Sequence, residues 1–201
     1  FRQVHVLDAG GAPPRVQIVR ERPWNDRSEV HGPFDIIGDV HGCLGELRTL
    51  LEDLGWALDF DYAGRAVGAC HPQGRLAVFV GDLVDRGPDS PGVVRLVMGM
   101  VEQGSALCVS GNHEAKLVRA LRGTTVTVSH GLAQSLEQFG REPDQFRADA
   151  LAFMDGLIAH YVLDDGRLVV AHAGLKEEYH GRTSARVRAF ALYGDTSGET
   201  D

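Results

Sequence analysis

Four short segments carry side chains able to hold metal ions or move protons: Asp39 and His41; Asp82, Asp85 and Arg86; Asn112 and His113; and His172. Asp39 and His41 are two residues apart, so an extended backbone turns a carboxylate and an imidazole to the same side, where both can hold one cation. Oxygen and nitrogen donors without thiolate suit Mn, Fe, Ni or Zn better than Mg. Asp82 would complete that site and could bridge to a second cation held by Asn112 and His172. Each segment also has a plainer reading: Gly-Asp after a strand is a common turn, Asp85-Arg86-Gly87 can be a solvated loop, and Asn112 can cap a helix. Together those plainer readings leave unexplained why every strand end is polar.

The elements that must position these residues are legible as hydrophobic periodicity. Phe34 to Ile37 is a short apolar run ending at Gly38-Asp39, followed by Leu44, Leu47, Leu51 and Leu54 on one helical face, with Gly55 as the stop. Leu76 to Val80 is a second strand ending at Gly81-Asp82; Ser90 as N-cap, Pro91 as first helical residue and Gly104 behind the last turn bracket the next helix. Ala106 to Val109 is a third strand running through Ser110-Gly111-Asn112-His113 into a helix to about Leu121. Tyr161 to Leu163 and Leu168 to Ala171, joined by Asp164-Asp165-Gly166, read as a hairpin delivering His172. Short strands are expected between Trp56 and Gly74. The class is α/β, in which ligands gather beyond the carboxyl ends of the strands.

Residues 1–33 read as a connector, with Pro and Gly breaks and Val16 to Val19 as an edge strand; the tail from Asp195 is polar. With 201 residues, 43% of them hydrophobic, the chain can bury a core, which excludes a disordered segment. A formal net charge of -8 argues against broad binding to a nucleic-acid backbone, though not against gripping one terminal phosphate. Three scattered cysteines, Cys43, Cys70 and Cys108, form neither a disulfide framework nor a four-thiolate zinc site. No apolar run reaches membrane-spanning length and no signal peptide is visible, so a soluble, cytoplasmic protein without membrane contact is expected. The start at Phe1 rather than Met suggests a piece of a longer polypeptide.

Gly38-Asp39-Val40-His41-Gly42, Gly81-Asp82-Leu83-Val84-Asp85-Arg86-Gly87 and Gly111-Asn112-His113-Glu114, in that order, resemble the motifs of the calcineurin-like binuclear metallophosphoesterases. More narrowly, Gly32 to Cys43, His172-Ala173-Gly174 and Arg186 to Asp201 resemble the phosphatase module of bacterial polynucleotide kinase/phosphatase, an RNA-repair family, and Phe1 to Arg27 is similar to the tail of its kinase module. The resemblance implies two facing mixed β-sheets flanked by helices, with residues 1–33 as connector and 34–201 as the metallophosphoesterase domain lacking its C-terminal part. It implies one metal on Asp39, His41 and Asp82 and another on Asp82, Asn112 and His172, with Mn²⁺ or Ni²⁺ as the two divalent ions. A hydroxide activated between them would attack phosphorus, His113 would protonate the leaving group, Asp85 would orient His113, and Arg86, with Asn112, would bind the phosphate.

The function so implied is removal of terminal 2′,3′-cyclic, 2′- or 3′-phosphates from RNA ends. Partners would be RNA 3′ ends, kinase and ligase modules of the same polypeptide, an RNA-repair methyltransferase and a second copy of the chain. The three motifs equally fit a protein Ser/Thr phosphatase or a dinucleoside tetraphosphate hydrolase. A reading from another class is a non-catalytic docking module, against which the presence of His113, Asp85 and Arg86 weighs. A further metal-binding histidine, in a Gly-His-Thr well downstream of His172, belongs to the family pattern and is not among these residues.

Overall fold

The computed structural model describes residues 23–195. Three parallel strands form its centre: β2 (Phe34–Ile37), β5 (Leu76–Phe79) and β6 (Ala106–Cys108), in the order β2-β5-β6. Their register aligns Ile37 with Phe79 and Phe79 with Cys108, so the three loops that follow leave the sheet at one level. A mixed sheet in the order β1-β7-β8 is built from β1 (Asp26–Arg27), β7 (His160–Leu163) and β8 (Leu168–Ala171), with β1 parallel and β8 antiparallel to β7. A hairpin of β3 (Ala57–Phe60) and β4 (Ala66–Cys70) completes the strands, in the region where the sequence predicts short ones.

Alternation along the strands divides the core in two. Ala77 and Phe79 point toward the helices, in a cluster with Leu47 and Leu51 of α1 (Leu44–Asp53) and with Val93, Leu96, Val97 and Met100 of α2 (Ser90–Glu102). Val78 and Leu107 point the other way, packing with Leu163 and Val170 of the mixed sheet. The two sheets therefore face each other, as the resemblance implies, and a single parallel bridge between Val109 and Ile158 joins them. Within the described residues the mixed character belongs to one sheet only.

Several local expectations are refined. Asp89, not Ser90, caps α2, its carboxylate accepting from Gly92 N at 2.8 Å; Ser90 is the first helical residue. Gly99 lets α2 lie directly on β4, where a Cβ would collide with the Val67 carbonyl. The sequence reading assigns nothing between about 124 and 160, where the chain forms α4 (Leu132–Gly140) and α5 (Asp144–Gly156) after α3 (Asn112–Leu121). Residues 23–33, read from the sequence as connector, carry β1, and Val162 N donates to Asn25 O at 3.0 Å. The strand expected at Val16 to Val19, the rest of the connector and the tail beyond Asp195 lie outside the described residues. The last described helix is α6 (Ala185–Tyr193). Among the described residues no helix is long and apolar enough to cross a membrane.

Candidate metal centre

Four of the residues singled out from the sequence sit in the left-handed backbone region: His41 at φ 46°, Asp82 at 49°, Asp85 at 70° and Arg86 at 67°. Non-glycine residues persist there only where the surroundings over-determine them. Here the surroundings are a net of hydrogen bonds between loops. Asp82 O accepts from Val40 N at 3.1 Å and His41 N at 2.8 Å, tying the first loop to the second. The buried carboxylate of Glu114 accepts from Asp82 N at 2.9 Å, Leu83 N at 2.7 Å, Val84 N at 3.3 Å and Gly111 N at 2.8 Å, tying the second loop to the third. Burial, and after it the Asp82 charge, raise the Glu114 pKa. Gly111 has no substitute, because a Cβ there would meet Asp82 Oδ1 and the Asp82 amide.

These loops converge on Asp82, which is 3% exposed. Its Oδ2 lies 3.8 Å from His41 Nε2, 3.8 Å from His113 Nε2 and 3.4 Å from His172 Nε2. His41 Nε2 lies 3.7 Å from Asp39 Oδ2, and His172 Nε2 lies 3.0 Å from Asn112 Oδ1. Both outer imidazoles are aimed by their other nitrogen, Nδ1 of His41 donating to Val84 O and Nδ1 of His172 to Val80 O, each at 2.9 Å. Two sets of donors fall within 4.8 Å of one another, His41 with Asp82 and His113, and Asp39 with Asp82 and His172; Asp82 belongs to both.

The donors fit a cation. His41 Nε2 is buried without a hydrogen-bond partner, an expensive state for a ring nitrogen unless something else uses its lone pair. Its carboxylate neighbours stand beyond hydrogen-bond range, at the spacing of ligands that share an ion bound about 2.0–2.2 Å from each. His172 arrives differently from the other donors. It follows β8, which runs antiparallel to β7 and so returns to the level where Val109 meets Ile158.

Beside these donors, His113 Nδ1 bonds Asp85 Oδ2 at 2.6 Å, and this bond is the main cause of a raised His113 pKa. Asp85 is fully buried, and its other oxygen accepts from Ser135 Oγ at 2.6 Å while Ser135 Oγ also receives Asp85 N at 2.9 Å. Exposed Arg86 places Nη2 3.5 Å from His113 Nε2. All eight residues singled out from the sequence thus meet at one end of the parallel sheet. Sequence reasoning gave no role to Glu114 or Ser135. Glu114 stands three residues after Gly111 at a helix start, a capping-box spacing that could have revealed it. Ser135 lies on α4, 50 residues from Asp85, with no local signal. His160, at the start of β7, is buried at 1% exposure.

The family model described as calcineurin-like phosphoesterase matches residues 32–196. The chain is 42% identical over 172 residues to the bis(5′-nucleosyl)-tetraphosphatase PrpE (asymmetrical) of Geobacillus thermodenitrificans, covering 84% of this chain and 68% of that protein. It is 41% identical to the protein of the same name from Bacillus subtilis, covering 83% of this chain and 68% of the other. A crystal structure described as that of a candidate diadenosine tetraphosphatase aligns with TM-score 0.52 and 30% identity over 75% of this chain, which spans about half (54%) of the solved one. A protein serine/threonine phosphatase from Saccharomyces cerevisiae, 17% identical with TM-score 0.56 over 79% of this chain and 47% of its own, shares the fold alone. These relatives overturn the expectation of an RNA-end phosphatase and do not support the narrower resemblance to polynucleotide kinase/phosphatase. Of the segments that suggested it, Gly32 to Cys43 and His172-Ala173-Gly174 carry donors of this centre, whereas Arg186 to Asp195 runs through and past α6, and the other segments lie largely outside the described residues.

Proposed function

Because this chain belongs to the calcineurin-like phosphoesterases, a class of hydrolases that use divalent metal ions, we propose that it splits dinucleoside tetraphosphates unequally, at a phosphoanhydride bond. The observation that carries this reading is the 42% identity to a relative of that name, extending over 84% of the chain. Asp39, His41, Asp82, Asn112 and His172 would hold two ions, with Asp82 shared. Imidazole, carboxylate and amide donors favour Mn²⁺ or Ni²⁺. Bound there, the ions neutralise phosphate charge and lower the pKa of water.

The remaining steps fall to the chain's own groups. Arg86 offers a planar fork to the non-bridging oxygens of the phosphate under attack. His113 commits Nδ1 to Asp85, so its transferable proton sits on Nε2, the nitrogen facing Asp82 and Arg86. From there it can pass to the departing phosphate oxygen.

The test is incubation with P1,P4-diadenosine tetraphosphate and Mn²⁺, Ni²⁺ or Mg²⁺, with products separated by anion-exchange chromatography. ATP and AMP in equal amounts are expected, with release abolished by chelator. Two ADP would overturn the unequal cut. Indifference to the tetraphosphate, with turnover of a phosphopeptide or a cyclic RNA phosphate, would overturn the substrate. Undiminished activity in chelator would overturn the role of the ions.

A further inference from the structure

Away from the metal centre, a cavity of about 170 Å³ opens between Trp24 and Asn25, the start of β7 and the amino end of α6. Its lining is mostly apolar, but two buried polar side chains, Asn25 and His160, belong to it, and the pairing of Asn25 is incomplete. Asn25, 1% exposed, donates from Nδ2 to His160 Nε2 at 2.8 Å, and Gly181 N donates to the same nitrogen at 3.1 Å, so that nitrogen carries no proton. Asn25 Oδ1 is also buried, yet nothing among the described residues donates to it. A buried amide oxygen without a donor is costly, and a ligand N–H or O–H would satisfy it.

The walls define the rest of such a ligand. Ser184 caps α6 by accepting from Val187 N at 3.2 Å, and Ser184, Ala185 and Val187 at the positive end of that helix line the opening. Arg182 lines the same opening, and among the described residues no carboxylate does. At the mouth stands Trp24, 63% exposed, an aromatic surface on which a planar ring can stack. An unpaired acceptor, an anion-seeking helix end with a free-standing arginine, and an open indole together describe one chemistry. We propose that this cavity binds a nucleoside monophosphate group: base against Trp24 and hydrogen-bonded to Asn25 Oδ1, phosphate on Arg182 and the start of α6.

The cavity has room for one base and is tied to the centre through the backbone. Arg188 donates to Leu157 O at 3.1 Å and reaches Ser110 Oγ at 3.5 Å, two residues before Asn112. His160 pairs in register with Ala171, the residue before His172. Binding here does not depend on which bond the metal centre cleaves, so it is measured with chelator present and fails or stands separately from the hydrolytic reading.

The experiment titrates AMP into the protein in EDTA, following tryptophan fluorescence and, in parallel, calorimetry. Trp56 is 3% exposed, so quenching reports Trp24. Saturable quenching is expected, lost in Trp24→Leu. Arg182→Ala should weaken the calorimetric Kd about tenfold, the loss of one charge-assisted contact. Adenosine and inorganic phosphate, each lacking one half of the ligand, should bind about tenfold more weakly than AMP or worse. Both substituted residues are exposed, and circular dichroism checks that the variants fold. No saturation at millimolar AMP, an unchanged Kd in both variants, or phosphate binding as tightly as AMP would each overturn the proposal.

Discussion

At the scale of single residues, His113 and Asp82 have separable duties. His113 is held by Asp85 and its pKa is raised, so the protonated form persists to higher pH than for a free imidazole. An acid of this kind is active while protonated, and activity falls as pH rises through its pKa. Asp85→Asn removes the main cause of the shift, so the high-pH limb of kcat is expected at lower pH than in the wild type; an unmoved limb would mean another group governs it. His113→Ala should cost ~10²-fold in kcat on an alkyl phosphate ester, whose alkoxide needs a proton, and much less on a tetraphosphate, whose leaving phosphate departs readily. Equal losses on both would place His113 with the metal ligands, which its grouping with His41 and Asp82 also permits. Asp82 is the shared donor, so Asp82→Ala is expected to lose both ions and Asp39→Ala chiefly one. Elemental analysis of the two variants distinguishes them, and matching losses would argue against a bridge.

At the scale of elements, the loops after β5 and β6 act as one unit because Glu114, in the first turn of α3, gathers backbone donors from both. Glu114→Gln offers one acceptor oxygen where two serve, and turns an amide NH₂ toward backbone N–H groups. Leaving buried donors unpaired costs about 1–3 kcal/mol. Because the carboxylate sets the posture of Asp82, metal affinity is expected to drop about 10–100-fold, as for other groups that orient ligands. Metal titration and urea unfolding measured together decide the matter: a stability loss with unchanged affinity would make Glu114 a fold residue only. The sequence shows Glu114 as a helix-start acid, but its four donors come from two separate turns, so local spacing could not display its reach.

At the scale of the whole molecule, Asp35 on β2 links separate parts of the structure. It accepts from Arg75 Nε at 2.8 Å and from Trp56 Nε1 at 3.0 Å, joining the edge strand to the start of β5 and to the segment after α1. The hydrogen bond from Arg75, then that from Trp56, hold its pKa below the ordinary carboxylate value against the opposing effect of burial. A depressed folded-state pKa stabilises above the unfolded value of about 3.9 and loses that contribution as pH falls through the folded value. The urea midpoint of the wild type should therefore exceed that of Asp35→Asn above about pH 5. The gap should narrow as pH falls below about 4 and close only below the depressed folded-state pKa, where the wild-type group is neutral in the folded chain as well. A gap independent of pH would show that the charge of Asp35 is immaterial.

Sequence alone determined what is local. Short apolar runs ending in Gly-Asp or Gly-Asn marked β2, β5 and β6, and strands of a parallel sheet carry their loops to the same end, so Asp39, Asp82 and Asn112 could be grouped before any coordinates. The hairpin turn at Asp164–Gly166 was equally readable. Tertiary structure alone decided what depends on chain segments far apart: that the antiparallel return of β8 sets His172 against Asp82, that Ser135 of the unassigned α4 holds Asp85, and that Asn25 pairs with His160 across 135 residues. Those contacts carry no period and no spacing, because they exist only after two sheets and a helical layer have packed. Local pattern could therefore place metal-binding donors at the strand ends, while phosphate chemistry came from resemblance to a family and the proposed substrate rests on likeness to relatives.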